Sequence, residues 1–408
     1  MSIQDQPKLW DNQLFMRVFS SYSISVFGRW FDMVAIMILF SFIWETSPLV
    51  IALIPVMYAL PHALLSQFSG IFADRFNKIK LMIIADSLTA ALSLFLFFAP
   101  SPWIALPVLL LRATLTVIHF PAQQALIKHL VSEQLVVKAI TWNGTVNELS
   151  KIVGPFIGGS LAAYFSPHIC ILIGAFAYLF SAFILLPLRN RQEVQSRTSD
   201  GTLAPNLSFW TSWKEGWYVV LGNKNLKLAI LVSVIGYTAI QMMDVQITVL
   251  LREIAPDRPE LLGWTMAASG VGALVTILVI NQLNEIRSYF LLLGGGYLLI
   301  GTGFAGFGFL FPGISTSIPV LLGGLAGAGI GLFTIGISYT LQKESTEETI
   351  GRVSGIYSSI TNMIVLVAPL IGGLVVSIWR AGAVYIGSGG FLIFVGLVVV
   401  LLTVRKKL

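Results

Sequence analysis

Residues Ser288–Gln342 contain no Asp, Glu, Lys or Arg. As one straight helix this run would be about 80 Å long at 1.5 Å per residue, against a bilayer hydrocarbon core of roughly 30 Å. The run must therefore cross a membrane, turn, and cross again. Phe311–Pro319, FPGISTSIP, supplies the turn, with Gly and Pro as breakers. Other charge-free runs are Thr46–Ala73, Ser87–Leu111, Ile152–Leu188, Leu261–Asn284, Val353–Trp379 and Ala381–Val404. Turns at Ser166–His168 and Ala99–Trp103 divide further pairs of spans. The pattern predicts an all-α integral membrane protein with twelve transmembrane helices, at 14–44, 48–73, 79–99, 103–129, 137–163, 167–188, 224–250, 260–283, 287–310, 316–342, 350–378 and 382–403. With 56% hydrophobic and 11% charged residues, the loops are too short for a soluble catalytic domain. The one cysteine, Cys170, excludes an internal disulfide and a cysteine metal cluster.

Lys and Arg set the orientation. With both termini in the cytoplasm, the inner loops and tails, counted with the adjoining ends of the spans, hold 19 of the 25 basic residues. The outer loops hold only Arg252, Arg258 and Arg380, and the interiors of the spans hold Arg29, Arg112 and Lys151. The net charge of +6 is thus a topology signal rather than a nucleic-acid site. The one long connection, 189–223, opens with the basic, polar RNRQEVQSRTSDG and ends with Phe209, Trp213 and Trp217 at four-residue spacing. It reads as a cytoplasmic linker carrying an amphipathic helix that can lie at headgroup depth, or that simply continues the seventh span.

The chain repeats once. GPFIGG at Gly154–Gly159 matches APLIGG at Ala368–Gly373, and at the same offset of 214 residues Ser132, Glu133 and Lys138 meet Thr346, Glu347 and Arg352. WFDMVAI around Asp32 and MMDVQIT around Asp244 hold equivalent carboxylates. The reading is two pseudo-symmetric six-helix bundles, 1–188 and 224–408. In such bodies small-molecule sites lie near the midplane. A receptor of unrepeated helices and a membrane enzyme with one asymmetric active-site loop both fit this pattern poorly.

Ionisable residues inside spans cost about 2.5–3.5 kcal/mol each on insertion scales, so each needs a partner or a task. Asp32 has two candidate cations, Arg29 three residues before it and Arg112 on the fourth span. Either it is a structural ion pair or it takes up and releases a proton. Asp244 repeats the question in the second half. Glu148 and Lys151 can neutralise each other, or Glu148 can face a cavity. His62 and His119 read as ordinary hydrogen-bonding residues, and Asp86 as a partner of the nearby basic loop. Trp30, Phe31, Phe120, Tyr237, Gln241 and Gln246, with Arg29, stand at the depth expected of a substrate cavity. GAGIG at Gly327–Gly331 lacks the preceding strand of a dinucleotide turn, so Gly323, Gly327 and Gly331 read as a helix-packing face. No G-x-x-x-x-G-K-[ST] occurs, so an ion gradient rather than ATP is the expected energy source, with no cofactor.

GIFADRFNKIK at Gly70–Lys80 falls between the second and third spans. It resembles the signature loop of the major facilitator superfamily, G-x-x-x-D-R-x-G-R-K, with Gly70, Asp74 and Arg75 matched and Lys78 replacing one cation by another. Asn77 replaces the usual Gly, as a residue that tolerates a left-handed turn. The resemblance implies that this loop is a conformational latch. SKIVGPFIGG at Ser150–Gly159 is similar to the superfamily's antiporter motif, with Gly154, Pro155, Gly158 and Gly159 matched. LLLLRATLTVIHFPAQQALI places Arg112 where the family has a helix arginine. This segment, WFDMVAI and SFWTSWKEGWYVVLGNKNLK together resemble the macrolide-efflux and enterobactin-exporter-like branch.

The resemblance implies a transporter rather than an enzyme. It implies a monomer in the bacterial inner membrane that exports an amphipathic small molecule, drug-like or siderophore-like. Export would run by proton antiport with alternating access. Asp32, Arg112, Glu148 and Asp244 would carry the proton coupling. The rival reading is a lysophospholipid or lipid flippase of the same superfamily.

Overall fold

The computed structural model describes residues 9–189, 209–282, 288–346 and 348–405, with the backbone alone at 66–75, 118, 120, 121, 128, 129 and 209–213. The described residues form α1 (Gln13–Ile38), α2 (Pro48–Arg75), α3 (Lys78–Phe97), α4 (Pro102–Leu130), α5 (Glu133–Tyr164), α6 (Pro167–Leu185), α7 (Phe209–Gly222) and α8 (Lys224–Met243). They continue with α9 (Ile247–Ile254), α10 (Glu260–Asn281), α11 (Tyr289–Gly308), α12 (Ser317–Lys343), α13 (Ile350–Ile378) and α14 (Ala381–Arg405). Eleven described helices are long and apolar enough to cross a membrane. α5 has the length, at 32 residues, but carries Glu133, Lys138, Glu148 and Lys151. With it the twelve expected crossings are all present.

Helix starts follow from local chemistry. The Asn12 side chain accepts from the amides of Leu14 and Phe15 at 3.0 and 3.1 Å, capping α1, and its Nδ2 donates to the Leu130 carbonyl at 2.6 Å. Pro102 and Pro167 open α4 and α6 in the first turn, where a missing N–H costs nothing. Asn77 takes extended backbone, φ −62° and ψ 114°, and its side chain caps α3 through the Lys80 amide at 3.0 Å. The expected left-handed turn is therefore absent: Asn77 works as a helix cap.

The chain forms two compact units. One runs up to Phe40 and resumes at Met57; the other takes Ser41–Val56 together with the chain from α7 onward. In the first unit, Val18, Ile79, Met82, Ala122, Leu126 and Leu185 form one fully buried cluster. Residues 41–56 join the second unit through backbone acceptors. Arg252 Nη1 donates to the Ser41 and Thr46 carbonyls at 2.7 and 3.1 Å, and Ser41 Oγ donates to the Thr248 carbonyl at 3.0 Å.

The predicted span 224–250 is corrected. It is two helices, α8 and α9, separated by a turn at Asp244–Gln246. The break satisfies its own polar groups: the Tyr385 hydroxyl donates to the Met243 carbonyl at 2.7 Å, and Gln246 Nε2 donates to the Pro48 carbonyl at 3.2 Å. The segment before α8 is also a separate helix, α7, and not an extension of the seventh span. Asn223 interrupts the two and caps α8. α7 packs on α13, with Glu215 paired to Arg352 at 2.6 Å. The glycine face of α12 packs as expected: a Cβ at Gly323 or Gly331 would lie 2.6 Å from the Thr265 carbonyl or 2.8 Å from that of Ala273, both on α10.

Candidate functional site

Asp32 and Arg112 meet inside the first unit, at 0% and 3% exposure. Arg112 Nη2 donates to Asp32 Oδ2. Three glycines make room for this stretch of α1. A Cβ at Gly174 on α6 would lie 3.0 Å from both Cβ and Oδ2 of Asp32. Cβ atoms at Gly154 and Gly158 on α5 would lie 2.6 Å from Trp30 Cβ and from the Phe31 carbonyl oxygen. The Gly-Pro motif of α5 thus seats it against the turn of α1 that carries Asp32. Gly372, the counterpart of Gly158, stands likewise against the Met242 backbone on α8. Arg112 Cζ lies 5.9 Å from the Tyr178 ring centroid, within cation–π range. Asp32 Oδ1 and Arg112 Nε and Nη1 are buried without a hydrogen-bond partner among the described residues.

Beside this pair lies a small cavity of about 210 Å³ lined by Arg29, Trp30, Tyr58, His62, Arg112 and Tyr178 among others. It shares Arg29, His62, Thr89, Thr116 and Tyr178 with a larger cavity of about 400 Å³. The larger one runs between α1, α3, α4 and α5, with Asp86 and His119 at its wall. A volume in the range of roughly 300–1,000 Å³ suits a small-molecule site. Arg29 does not pair with Asp32. Its Nη2 donates instead to Asn147 Oδ1 at 3.3 Å. The i, i+3 spacing on α1 is overridden by the closer fit of Arg112 from another helix.

Asp86 is buried at the cavity wall, where Ser181 Oγ donates to its Oδ2 at 2.5 Å. The Ser21 hydroxyl lies 2.7 Å behind that of Ser181 and continues the chain. His119 Nε2 lies 3.3 Å from Asp86 Oδ1, off the hydrogen-bond axis. The expectation that Asp86 pairs with the basic loop is thus replaced by a chain of hydroxyls from α1 and α6.

The other expected residues fall as follows. Glu148 pairs with Lys151 at 2.7 Å and accepts from Asn147 Nδ2 at 3.2 Å. Asp244 is an accessible residue at the α8–α9 turn, with no cation within salt-bridge distance among the described residues. Its unit lacks the Arg112 counterpart, since Ala326 stands at that offset. Tyr237 stacks on Phe333 at 6.3 Å, Gln241 is half-buried, and Gln246 is fully buried on the Pro48 carbonyl. Lys78 is buried at the start of α3. The side chains of Asp74, Arg75 and Phe120 and the surroundings of Gly70 lie outside the described residues, as do those of Phe209 and Trp213. Sequence reasoning passed over Asn143, Asn147, Tyr58 and Tyr178. The signal was the pair of amides four apart on one face of α5. Among the described residues no group of three His, Cys, Asp or Glu could hold a metal ion.

This architecture matches known proteins. The family model of the Major Facilitator Superfamily matches residues 18–256, more than half of the chain. An uncharacterised MFS-type transporter, YfiS of Bacillus subtilis, is 28% identical over 97% of this chain and 94% of its own length. Macrolide efflux protein A of Streptococcus pyogenes is 22% identical over 89% of each chain. The crystal structure of the nucleoside transporter NupG superposes with a TM-score of 0.71 at 14% identity, covering 96% of this chain and 98% of that one, and shows the shared fold. The expected resemblance to the macrolide-efflux branch is borne out. The chain is a multi-pass membrane transporter and belongs to the Major Facilitator Superfamily.

Proposed function

We propose that this protein exports an amphipathic small molecule, drug-like or siderophore-like, from the bacterial cytoplasm by proton antiport with alternating access. The buried Asp32–Arg112 pair at the end of the polar cavity carries this reading. A carboxylate that deep has little reason to persist unless its charge is used. In one state Arg112 holds Asp32 ionised; in the other the pair separates and Asp32 takes a proton. A proton can drive the change only if it binds the two states with different affinity. The Gly-Pro motif seating α5 against Trp30 and Phe31 supports antiport, because motion of α5 would act directly on the turn bearing Asp32. Asp244 has no such partner, so in this proposal Asp32 carries the coupling and Asp244 does not. Asp74, Arg75 and Lys78 would form the cytoplasmic latch, and the protein would work as a monomer in the inner membrane with both termini cytoplasmic.

The likeness to a macrolide efflux protein favours export of a soluble amphiphile over lipid flipping. Everted membrane vesicles test the reading. An imposed proton gradient that is acidic inside the vesicle, with protons leaving as probe enters, should drive accumulation of a macrolide probe, and an ionophore should abolish it. Accumulation indifferent to the gradient would overturn proton antiport.

A further inference from the structure

Arg29 lines the cavity without a carboxylate partner among the described residues, while Asp86, the carboxylate in the same lining, accepts from Ser181 Oγ at 2.5 Å and lies 3.3 Å from His119 Nε2. Arg112 is matched by Asp32 and Lys151 by Glu148 at 2.7 Å. Arg29 faces the same cavity with only the neutral Asn147 amide at 3.3 Å and no carboxylate within 4.0 Å among the described residues. Trp30 adds a ring 6.0 Å from its guanidinium carbon. A guanidinium stays protonated, so in a bilayer-depth cavity it needs an anion.

A second observation comes from another helix. Asn143, one turn before Asn147 on α5, is 2% exposed and lines this cavity, yet neither its Nδ2 nor its Oδ1 has a hydrogen-bond partner among the described residues. A buried amide left unmatched costs free energy comparable to a lost hydrogen bond. Gly144, next to it, faces open space: a Cβ there would meet nothing within 4 Å. One fixed positive charge, one unmatched amide and the open space at Gly144 form a receptor for a single compact anion. Val26, Leu115, Val117 and Ile140 supply apolar wall, and His62, Asp86, His119 and Gln124 supply polar wall elsewhere in the lining.

We infer that this cavity binds its cargo through an anionic group, with Arg29 as counter-ion and the unmatched Asn143 amide as hydrogen-bond donor. The ligand class is an amphipathic monoanion: a carboxylate or phosphate head on an apolar body. The inference deepens the export reading and rests on it for the word cargo; the binding site itself does not. Arg29 fixes the charge and Asn143 the geometry, because a planar amide directs its N–H donors within one plane. A soluble acid and an anionic lysolipid share this chemistry.

Binding measured on the full-length protein in phosphatidylcholine nanodiscs tests it. The first probe set is 4-octylbenzoate with its neutral and cationic isosteres, 4-octylbenzamide and 4-octylbenzylamine. The second is lysophosphatidic acid against lysophosphatidylcholine, doped into the disc. The benzoate should bind at least about tenfold tighter than the amide. Arg29→Gln should erase that preference, Arg29→Lys should retain most of it, and Asn143→Ala should weaken the anion without changing the amide. Arg29→Lys and Asn143→Ala keep the test decisive if Arg29→Gln does not fold. A preference confined to lysophosphatidic acid, and dependent on Arg29, upholds the site and assigns its source to lipid. Equal binding of all isosteres and of both lysolipids overturns it. Asp32→Asn separates the two claims: it should abolish gradient-driven transport yet keep the anion preference. Absence of proton-driven transport of every probe by the unmodified protein, with the preference intact, would sink the export reading alone.

Discussion

Arg112 on α4 reaches Asp32 on α1 with one guanidinium nitrogen, and the pair is sealed from solvent while Oδ1, Nε and Nη1 keep no partner among the described residues. A fully satisfied buried ion pair is a structural fixture. A half-satisfied one is costly to hold and easier to separate, which is what a proton switch requires.

Breaking this pair from one side should cost more than removing it. Arg112→Gln leaves Asp32 as an uncompensated buried carboxylate and should lower stability by about 3 kcal/mol, while the double variant with Asp32→Asn recovers much of that loss. Thermal unfolding of the four proteins in detergent checks the cycle. Additive losses would mean the two residues do not interact.

The α1–α5 contact should be intolerant of volume. Gly158→Val drives side-chain atoms into the Phe31 backbone, already 2.6 Å from an added Cβ, and should destabilise by about 1–3 kcal/mol. Gly390→Ala on α14 meets nothing within 4 Å and should leave the melting temperature unchanged or slightly raised. Equal effects at the two positions would contradict the packing described here.

Ser181→Ala removes the hydroxyl donated to Asp86 at 2.5 Å and leaves a buried carboxylate oxygen unmatched. A loss of about 1–3 kcal/mol is expected, and Ser181→Thr, if it fits, should restore most of it. Unfolding midpoints of both variants decide the matter.

One pH effect follows from Glu344, which closes α12. Burial opposes its ionisation, but the Tyr289 hydroxyl at 2.7 Å and the Asn223 and Asn225 side chains outweigh it, with help from Lys343, and hold the carboxyl below its ordinary value of 4.5. A lowered native value stabilises the fold fully above the ordinary value, and the gain is lost as pH falls through the lowered one. Glu344→Gln should therefore cost about 1 kcal/mol at pH 7, and the deficit should shrink progressively as pH falls below 4.5. A deficit independent of pH would show that the hydrogen bonds to the charged form do not matter.

The crossings were legible because a bilayer imposes a blunt rule: runs without charge must span it. The break at Asp244–Gln246 was not legible, because seven of the ten residues 242–251 are apolar and hydropathy does not register a turn whose Met243 carbonyl is satisfied by Tyr385. The need of Asp32 for a cation could be read directly. Which cation served could not, since Arg29 had the local spacing and only the tertiary approach of α4 brings Arg112 closer. The repeat suggested that Asp244 mirrors Asp32, yet the duplicated half holds Ala326 where an arginine would be needed. Asn143 carries no charge to single it out, so its amide gained meaning only when the cavity wall was known.

The central claim is that protons act through Asp32. Purified protein and its Asp32→Asn variant, reconstituted in liposomes, should exchange a macrolide probe equally in counterflow, where no gradient is needed. Under an imposed pH gradient only the unmodified protein should accumulate the probe, with the variant reduced at least about tenfold. Accumulation by Asp32→Asn at the unmodified rate, with the same dependence on the gradient, would contradict the account.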